Sequence, residues 1–402
     1  MKLWIFLSSA LILYFTYGFY ISQDDPNVVP GRLKRETPHG LYDYKGVINV
    51  HTDLSIGSSS PQQVIEAAKA AGLDFIMLTD LNLFRSLGNL ENYHGNTLVM
   101  VGSKYSYLDS RLIHYSPKRN VIGENLGEVQ VRLADLLSQP VEANADDLLI
   151  LAHPYKAGFS WSGEFPSGLD GFELLNAKSL SIRSWETSKP STIWSLLTYP
   201  FNPPLAFLRL FSEPSEEIEL FDRLGRERPV VAFAGAEASA RAIAITDYLI
   251  KFPSYQRSFD FLTNHVLLSS ELTGNPNTDK LKIFSALKKG QFYLCVELLG
   301  DPKGFFAAIE EHGRFHLPGS KIKLTRDMAL KIQLPVRPTS FFEVVVYKDG
   351  ARYKTFNDDN VELRLTEAGT YRVQVRVSPY LPLPDAKRWM TWIYTNNFRV
   401  SP

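Results

Sequence analysis

The sequence predicts an α/β protein whose parallel sheet is covered by helices, followed by an all-β region and preceded by one apolar helix. Three observations predict this fold class. From residue 46 to about residue 300, near-continuous apolar segments alternate with segments of helical periodicity. After about residue 300, apolar and polar residues alternate with a period of two, and the first 22 residues carry one charged side chain. Because strands buried on both faces read as continuous apolar runs, the middle region is expected to be a parallel sheet.

The composition is that of a globular protein with more than one folded unit. A chain of 402 residues exceeds one average domain, so two folded units are expected. It is 45% hydrophobic and 21% charged, which provides enough apolar material for a large core. Lys+Arg and Asp+Glu both number 43, so the balance of charge does not favour nucleic acid as a partner. The single cysteine, Cys295, excludes an internal disulfide and a cysteine-rich zinc site.

The N-terminus is predicted to be a transmembrane anchor over residues 1–22. An uncharged apolar run from Leu3 to Ser22 would span roughly 30 Å as a helix, which is enough to cross a bilayer. A cleavable signal sequence is the main alternative, but its apolar core is usually only ~7–15 residues long. The run ends in Tyr17, Phe19 and Tyr20, which suit a membrane interface better than a peptidase site. A buried first helix is the remaining alternative.

The protein is predicted to be anchored in a membrane, with most of the chain on the periplasmic or extracellular side. Lys2 and the amino terminus favour a cytoplasmic N-terminus, whereas the basic cluster of Arg32, Lys34 and Arg35 favours the opposite orientation. Residues 23–43 contain prolines and glycines without periodicity, so a linker is expected there. The membrane is therefore the expected partner through the N-terminal helix. No nucleic acid is expected, and the sequence identifies no other ligand or protein partner.

Residues 44–300 show the alternation of strands and helices most clearly. The segment "GVINV" is β-rich, and Ser60, Pro61 and Gln63 then form a strong helix start, with a cap, a proline in the first turn and a capping-box glutamine. Gly72 is expected to stop this helix. Five further buried strands are predicted, in "DFIMLTD", "TLVMVGS", "LLILAHP", "GFELLNA" and "PVVAFAGAE". Polar residues follow these strands at their carboxyl ends, which is where a parallel barrel builds its site.

Residues 301–402 are predicted to form an antiparallel β-sandwich. The segments "LKIQLPV", "FFEVVVYKDGARYKTF", "VELRLTE" and "TYRVQVRV" alternate between apolar and polar residues. Asp349-Gly350 is a typical two-residue hairpin turn within this region. About a hundred residues of this pattern are sufficient for a sandwich of two sheets.

The segment of residues 192–211, "TIWSLLTYPFNPPLAFLRLF", is rich in leucine and aromatic residues and is broken by prolines. We predict a helical hairpin that packs on the sheet. The alternative is an interfacial segment that lies on the membrane beside the anchor.

Histidines, carboxylates and one lysine follow the predicted strands in a way that suggests a shared site. Neutral imidazole and carboxylate are ligands that suit zinc, manganese or iron. A single histidine at the end of a buried strand is more often structural, so the argument depends on several groups converging. The residues in question are His51, Asp53, Ser55, Asp80, Lys104, His153, Glu173 and Glu237.

These segments, in this order, resemble the PHP (polymerase and histidinol phosphatase) superfamily, in particular its branch with an appended C-terminal β-sandwich. No single motif is specific, but their order and spacing together are. The resemblance implies a distorted (β/α)7 barrel over residues 44–300, with the sandwich at residues 301–402. The matching segments are "INVHTDLSIG", "AAGLDFIMLTDLN", "LILAHP", "DGFELLNA" and "LFDRLGRERPVVAFAGAEASA".

The family uses its motif residues to hold a cluster of divalent metals and to hydrolyse phosphate esters, and this chain departs from those motifs. Asn49 and Leu81 stand where the family has histidines, and Ile56 stands where it has an aspartate. Lys104 stands at the position of a bridging glutamate. The next histidine position falls on Arg111 or His114, depending on register. The former metal pocket implied by the resemblance comprises Asn49, His51, Ile56, Asp80, Leu81, Lys104, Arg111, His153, Glu237 and Ser239.

The replacements at this pocket argue against a metal cluster. Isoleucine and leucine offer no lone pair, and the Lys104 ammonium group would repel cations. At 4 Å and an effective dielectric of 20, two unit charges interact by about 4 kcal/mol, and a divalent ion doubles that value. We therefore predict that Lys104 fills the vacated metal space and neutralises Glu237 or Asp80, so that no cofactor is needed. The protein would then be a pseudoenzyme that binds a ligand or partner at the former metal site.

Two alternatives remain open. In the first, one zinc, manganese or iron ion is bound by His51, His153 and Glu237, with Asn49 or His114 as a further ligand, and the protein is a mononuclear metal-dependent phosphoesterase. In the second and weaker one, the β-sandwich is an envelope binding module and the barrel is inert. The sequence does not decide whether the protein is an enzyme.

Overall fold

The computed structural model describes residues 2–30, 38–245, 248–385 and 387–402, so the basic cluster of Arg32, Lys34 and Arg35 lies outside the described residues. The described residues form a mixed α/β protein with a large sheet. The α-helices are α1 (Lys2–Ile21), α2 (Pro61–Ala70), α3 (Leu126–Ser138), α4 (Ala177–Thr187), α5 (Lys189–Thr198), α6 (Pro203–Leu210), α7 (Ser215–Glu227), α8 (Tyr255–Phe259) and α9 (Pro276–Lys289).

The strands divide at about residue 300 into two groups. The first group is β1 (Tyr42–Val50), β2 (Phe75–Leu78), β3 (Tyr93–His94), β4 (Thr97–Val101), β5 (Ser103–Tyr107), β6 (Ser110–Tyr115), β7 (Leu148–Ala152), β8 (Gly171–Asn176), β9 (Val231–Ala238), β10 (Arg241–Ile245), β11 (Tyr248–Phe252), β12 (Leu262–Leu268) and β13 (Phe292–Val296). The second group is β14 (Phe306–Glu311), β15 (Arg314–His316), β16 (Lys321–Lys323), β17 (Met328–Gln333), β18 (Phe341–Lys348), β19 (Ala351–Phe356), β20 (Asn360–Arg364), β21 (Gly369–Ser378), β22 (Met390–Thr395) and β23 (Phe398–Ser401).

The strands before residue 300 follow one another in a series that begins and ends at β1. β1 pairs in parallel with both β2 and β9, β2 pairs in parallel with β4, and β8 pairs in parallel with β7 and β9. β5 pairs antiparallel with β6, and β6 pairs antiparallel with β7, which completes the series. Only Gly102 separates β4 from β5, and a Cβ there would lie 2.6 Å from the carbonyl oxygen of His114. The bend that closes the series therefore requires glycine.

Two features of this sheet differ from the sequence prediction. The segment "TLVMVGS" was expected to be one parallel strand, but it ends in a bend at Gly102 that starts the antiparallel β5–β6 hairpin. β12 also runs antiparallel to β1. An apolar run indicates burial on both faces but carries no information about the direction of the neighbouring strand, so both features were missed.

The start of α2 follows the prediction. The Ser60 side chain accepts a hydrogen bond from the Gln63 backbone N–H, and the Gln63 side chain accepts one from the Ser60 N–H. The helix ends at Ala70, and Gly72 follows with a φ of 65°, a conformation that glycine adopts without strain. This helix covers β1, β2 and β4 through Val64, Ile65 and Ala68, which are buried in a common apolar cluster.

The second group of strands forms two sets. β15, β14, β17 and β20 make a four-stranded antiparallel sheet, whereas β16, β18, β19, β21, β22 and β23 join the large sheet through the pairing of β13 with β22. Asp349-Gly350 makes the predicted hairpin turn between β18 and β19, with φ values of 52° and 85°. Apolar side chains of both sets, such as Leu330 and Val373, belong to the main hydrophobic core.

Helix α1 is long and apolar enough to cross a membrane by length and composition, and most of it is exposed. Its C-terminal end packs on residues 192–211, which form the predicted helical hairpin from the end of α5 and α6. The Tyr14 hydroxyl donates a hydrogen bond to the Leu197 carbonyl at 2.9 Å, and the Asn202 amide donates one to the Ile21 carbonyl at 2.8 Å. On its other side the hairpin packs on the strands, with the Phe207 and Phe261 rings 5.2 Å apart.

Candidate functional site

The carboxyl ends of β1, β7, β8 and β9 meet at one edge of the sheet and place buried polar side chains together. Asn49 and His51 come from the end of β1, Lys104 from β5, His153 from the residue after β7, Glu173 from β8 and Glu237 from β9. All six residues are at most 6% exposed. Burying polar groups costs free energy unless they interact with each other, so their contacts define what this centre can do.

Lys104 is at the middle of this centre. Its Nζ lies 3.5 Å from Oε1 of Glu237 and donates a hydrogen bond to Oδ1 of Asn49 at 3.2 Å. The Asn49 amide in turn donates to Oε1 of Glu173 at 2.7 Å. The amine thus lies where the charge argument predicts, and its carboxylate partner is Glu237. Asp80 is engaged elsewhere, because it accepts hydrogen bonds from the Thr52 backbone and hydroxyl at 2.7 and 2.8 Å.

Two further lysines belong to the centre, and neither is predicted from the sequence. Nζ of Lys156 lies 3.4 Å and Nζ of Lys178 lies 3.7 Å from the same Oε1 of Glu237. Lys156 follows His153 by three residues, and Lys178 is in the first turn of α4, directly after β8. Their position after the ends of site strands was the available signal, but neither falls on a family motif.

Three of the six buried residues have a backbone conformation that is unfavourable for any residue except glycine. The φ angles are 61° at Asn49, 38° at His153 and 41° at Glu237. Such positions cost of order 1 kcal/mol each and persist only where the surrounding structure enforces them. Their concentration at this centre is typical of a functional site.

The charges of the centre are set by burial and by the lysines. Burial opposes ionisation of Glu237, but Lys104, His153, Lys156 and Lys178 together hold its pKa well below the usual range. Burial raises the pKa of Glu173 to about 7, with Lys104 acting in the opposite direction. Near neutral pH the centre therefore holds one ionised carboxylate, a second that is partly protonated, and three lysine side chains.

The two histidines of the centre are neutral. Burial lowers the pKa of His51 well below its ordinary value, and Lys104 lowers it further. Burial also lowers the pKa of His153 to about 3, although Glu237 acts in the opposite direction. In the described part of the chain, both ring nitrogens of His51, Nδ1 of His153 and Oε2 of Glu237 are buried without a partner in hydrogen-bonding geometry. These atoms are available to a ligand.

Glu173 is held in place by donors from three directions. Its Oε2 accepts hydrogen bonds from the His153 backbone N–H at 3.0 Å and from the Asn176 amide at 2.7 Å. A Cβ on Gly235 would lie 1.7 Å from Oε1 of Glu173, so β9 needs glycine there to admit the carboxylate. Glu173 therefore acts as a buried acceptor that fixes Asn49, His153 and the start of α4.

The structure does not bring every predicted pocket residue into the centre. His114 is wrong as a ligand: Ile113 pairs with Lys104, so His114 faces the other side of the sheet and its Nε2 contacts Asp147 at 2.7 Å. Ile56 is 42% exposed in a loop, and Ser239 contributes its carbonyl to Tyr255. Leu81 forms a backbone bridge with Lys104 and is partly buried.

Arg111 belongs to the mouth of the centre. Its guanidinium lies 4.5 Å from the centre of the Phe159 ring, which also has Nζ of Lys156 within 5.1 Å. Burial lowers the pKa of Arg111, and Glu237 partly offsets this effect, so the arginine is within electrostatic reach of that carboxylate. The register of β6 against β5 determines that Arg111, and not His114, lies at the centre, and the sequence alone does not give this register.

A metal cluster does not fit this centre. Lys104 places an ammonium group 3.5 Å from the carboxylate that the family would use as a ligand. Within residues 2–30, 38–245, 248–385 and 387–402, only His265, Glu297 and Asp301 form a set of three His, Cys, Asp or Glu whose ligand atoms lie within 4.8 Å of one another. The set of His51, His153 and Glu237 does not meet that distance.

The set around His265 forms a buried network of ion pairs. His265 is fully buried between two carboxylates, with Nδ1 2.8 Å from Asp43 and Nε2 2.7 Å from Glu297. Burial disfavours the charged ring, but Asp43 and Glu297 raise the pKa of His265 to about 10. An imidazolium ion has no lone pair for a metal. Tyr293 donates to Asp43 at 2.5 Å and Lys45 lies 4.0 Å from Glu297, which completes the network.

This network predicts a specific pH dependence. Because the pKa of His265 is raised from 6.5 to about 10 on folding, its stabilisation is fully present below pH 6.5 and is lost as pH rises to about 10. A shift of this size corresponds to up to about 5 kcal/mol of unfolding free energy. Urea unfolding at pH 6 and pH 10 should show this loss in the wild type and not in His265→Gln. His312→Gln, at an exposed histidine, is the matched control and should behave as wild type.

Comparisons with known proteins return neighbours of known structure. No protein-family model matches the chain, and no curated protein matches it. A crystal structure of a two-domain protein from Bacteroides vulgatus, containing a predicted PHP-like metal-dependent phosphoesterase, matches at 12% identity and a TM-score of 0.41, over 90% of this chain and 99% of its own. A candidate metal-dependent phosphoesterase from Bifidobacterium adolescentis matches at 13% identity and a TM-score of 0.26, over 52% and 92%.

The sequence motifs resemble those of the PHP superfamily, and both neighbours are described as metal-dependent phosphoesterases. At 12% and 13% identity neither neighbour assigns an activity to this chain, so its function is argued from its own residues.

Proposed function

We propose that this protein binds a phosphate ester or a related anion at the lysine-lined centre, without the metal cluster of the PHP family. The observation that carries the proposal is the surplus of positive charge. Three ammonium groups lie 3.4–3.7 Å from a single oxygen of Glu237. Glu237 and the partly ionised Glu173 together carry fewer than two negative charges against three amines, so an anion binds favourably in this buried pocket.

The chemistry of the lining supports an oxyanion. Lysine is a common phosphate binder and acts as a point charge with three donors. Arg111 adds a planar donor at the mouth, and the neutral rings of His51 and His153 add ring nitrogens that can donate a hydrogen bond. In this proposal the lysines replace the metal cations electrostatically, and the pocket retains the type of ligand that the family's motifs imply.

The proposed organisation follows the sequence analysis. The closed series of strands in residues 44–300 is a distorted (β/α)7 barrel, residues 301–402 are a β-sandwich, and α1 is an uncleaved membrane anchor with the rest of the chain exported. This arrangement is supported by the strand pairings and by the exposed apolar surface of α1.

The proposal is tested by titrating the full chain, in detergent and with EDTA, with inorganic phosphate in a calorimeter. We expect binding that weakens as salt increases, because the contacts are ionic. Lys156→Met/Lys178→Met should weaken binding by about tenfold or more, since charged hydrogen bonds contribute about 1.5–3 kcal/mol each. The matched control is Lys321→Met/Lys323→Met, at two exposed lysines of β16. Phosphate binding that is absent with EDTA, or unchanged in the centre variant, would refute the proposal.

A second candidate, a phosphoesterase with one metal ion, is favoured by a specific observation. The unpartnered atoms of His51, His153 and Glu237 are the donor types that zinc, manganese or iron uses. Elemental analysis of the purified chain separates the two functions. Stoichiometric metal together with hydrolysis of p-nitrophenyl phosphate, both lost in His51→Ala/His153→Ala, would establish the enzyme in place of the metal-free binding protein.

A further inference from the structure

A cavity of about 270 Å³ lies directly beside the lysine-lined centre. Lys178 and Glu237 line the cavity and also belong to the centre, so the two adjoin each other. Arg241 also lines the cavity and is close to Lys178. Burial lowers the pKa of Lys178, and nearby positive charges, including Arg241, lower it further. The charged residues of the cavity are therefore grouped on the side of the centre.

The rest of the lining is mainly apolar. Tyr199 packs against Phe207 and Phe252 with ring centres 5.8 and 4.5 Å apart, and Phe207 stacks on Phe261 at 5.2 Å. These aromatic rings and Leu196, Leu210 and Pro253 line the space between α5, α6 and the strands. The volume is close to the lower end of ordinary ligand pockets, which measure roughly 300–1,000 Å³. A single hydrocarbon chain matches this volume and polarity.

The helices that line the cavity are also those on which α1 docks. The Tyr17 ring lies 5.1 Å from Trp194 of α5, and the Tyr17 hydroxyl donates to the Leu383 carbonyl at 2.7 Å. Around this junction several apolar side chains are 44–75% exposed. We call them the apolar collar: Ile193, Leu196, Leu197, Tyr380 and Leu383.

The apolar collar adjoins the cavity through Leu196. Exposed leucine and aromatic side chains at the end of an apolar helix are typical of a membrane interface. Leu196 is part of the collar, with 47% of its surface exposed, and also lines the cavity. The wall of the cavity is thus at the surface that faces the membrane if α1 is inserted.

We infer that the natural ligand is an anionic membrane lipid whose phosphate headgroup binds at Lys178 and the lysine-lined centre and one of whose hydrocarbon chains lies in the cavity. This inference rests on the proposed function and specifies its ligand. A small anion such as free phosphate would leave the apolar cavity without a hydrocarbon occupant. A neutral lipid would leave the surplus positive charge without a counter-ion.

The test uses the full chain in phosphatidylcholine nanodiscs and three probes: inorganic phosphate, monooctyl phosphate and octyl maltoside. Monooctyl phosphate should bind more than about tenfold tighter than inorganic phosphate, because each CH₂ removed from water adds to affinity. Octyl maltoside, which has the chain without the charge, should bind more weakly than monooctyl phosphate. Adding phosphatidic acid to the nanodiscs should compete with monooctyl phosphate.

Substitutions in the wall of the cavity distinguish binding of the hydrocarbon chain from binding of the phosphate group. Leu196→Trp should reduce the affinity for monooctyl phosphate to that for inorganic phosphate and leave phosphate binding unchanged. Leu197→Trp is the matched control, because Leu197 is similarly exposed on the same helix and does not line the cavity. Ala206→Leu, which reduces the cavity from within α6, should act like Leu196→Trp.

The outcomes distinguish this inference from the proposed function. If inorganic phosphate binds but the octyl chain adds no affinity, or if Leu196→Trp and Leu197→Trp have equal effects, the lipid inference is wrong and the anion site stands. If phosphate and monooctyl phosphate both fail to bind, the proposed function itself is wrong. A lack of competition by phosphatidic acid would exclude the bilayer as the source.

Discussion

Replacing Lys104 with methionine is expected to lower the free energy of unfolding by about 3 kcal/mol. Lys104 is 2% exposed, lies 3.5 Å from Glu237 and donates to Asn49. Removing one partner of a buried ion pair typically costs about 3–5 kcal/mol, because the remaining charge loses its compensation. The lower end applies here since Lys156 and Lys178 still face Glu237. The measurement is the urea midpoint of the full chain in detergent at constant slope.

The control for this substitution is Lys323→Met, which removes an exposed lysine from β16 and should change stability by less than about 0.5 kcal/mol. Lys104→Glu extends the test. It places a third carboxylate beside Glu237 and Glu173, so it should destabilise the protein further in EDTA and recover stability when Mn²⁺ or Zn²⁺ is added. Equal midpoints for Lys104→Met and Lys323→Met would show that the amine does not stabilise the centre.

Lys104 could be singled out from the sequence because it follows a predicted strand and stands where the family resemblance implies a bridging glutamate. Its charge then limited the choice of partner to a carboxylate, and Glu237 is that partner. The sequence did not reveal Asn49 as the link between Lys104 and Glu173, since a hydrogen-bonded chain depends on side-chain positions across three strands.

The errors of the sequence analysis have physical causes. His114 was kept as a potential ligand because its face of the strand depends on a register of one residue, which the β5–β6 hairpin sets. Lys156 and Lys178 were missed because a lysine after a strand is usually a solvated surface residue. Only the tertiary structure shows that both converge on one oxygen of Glu237.

The fold could be predicted from the sequence more fully than the site. The start of α2 was predicted because a capping box is a local signal that depends on three neighbouring residues. The hairpin at Asp349-Gly350 was predicted for the same reason. By contrast, the bend at Gly102 depends on the close approach of a distant carbonyl, which no local pattern contains.

Replacing Glu237 with glutamine is expected to change stability and ligand affinity in opposite directions. The substitution removes the one carboxylate that faces Lys104, Lys156 and Lys178 at 3.4–3.7 Å. Three ammonium groups then repel one another in a buried pocket, so the free energy of unfolding should fall by about 3–5 kcal/mol. The surplus positive charge rises by one unit, so inorganic phosphate should bind about tenfold tighter at low salt.

The opposite signs make Glu237→Gln informative about how the centre works. Phosphate supplies the missing negative charge, so added phosphate should restore much of the lost stability, as expected for a ligand that binds only the folded state. Glu124→Gln, at an exposed glutamate, is the control and should leave both quantities unchanged. If Glu237 instead ligates a metal that the ligand needs, Glu237→Gln would weaken phosphate binding and lower the metal content. Weaker phosphate binding with no metal present in the wild type would contradict the charge argument for the centre, because the carboxylate would then itself have to contact the ligand.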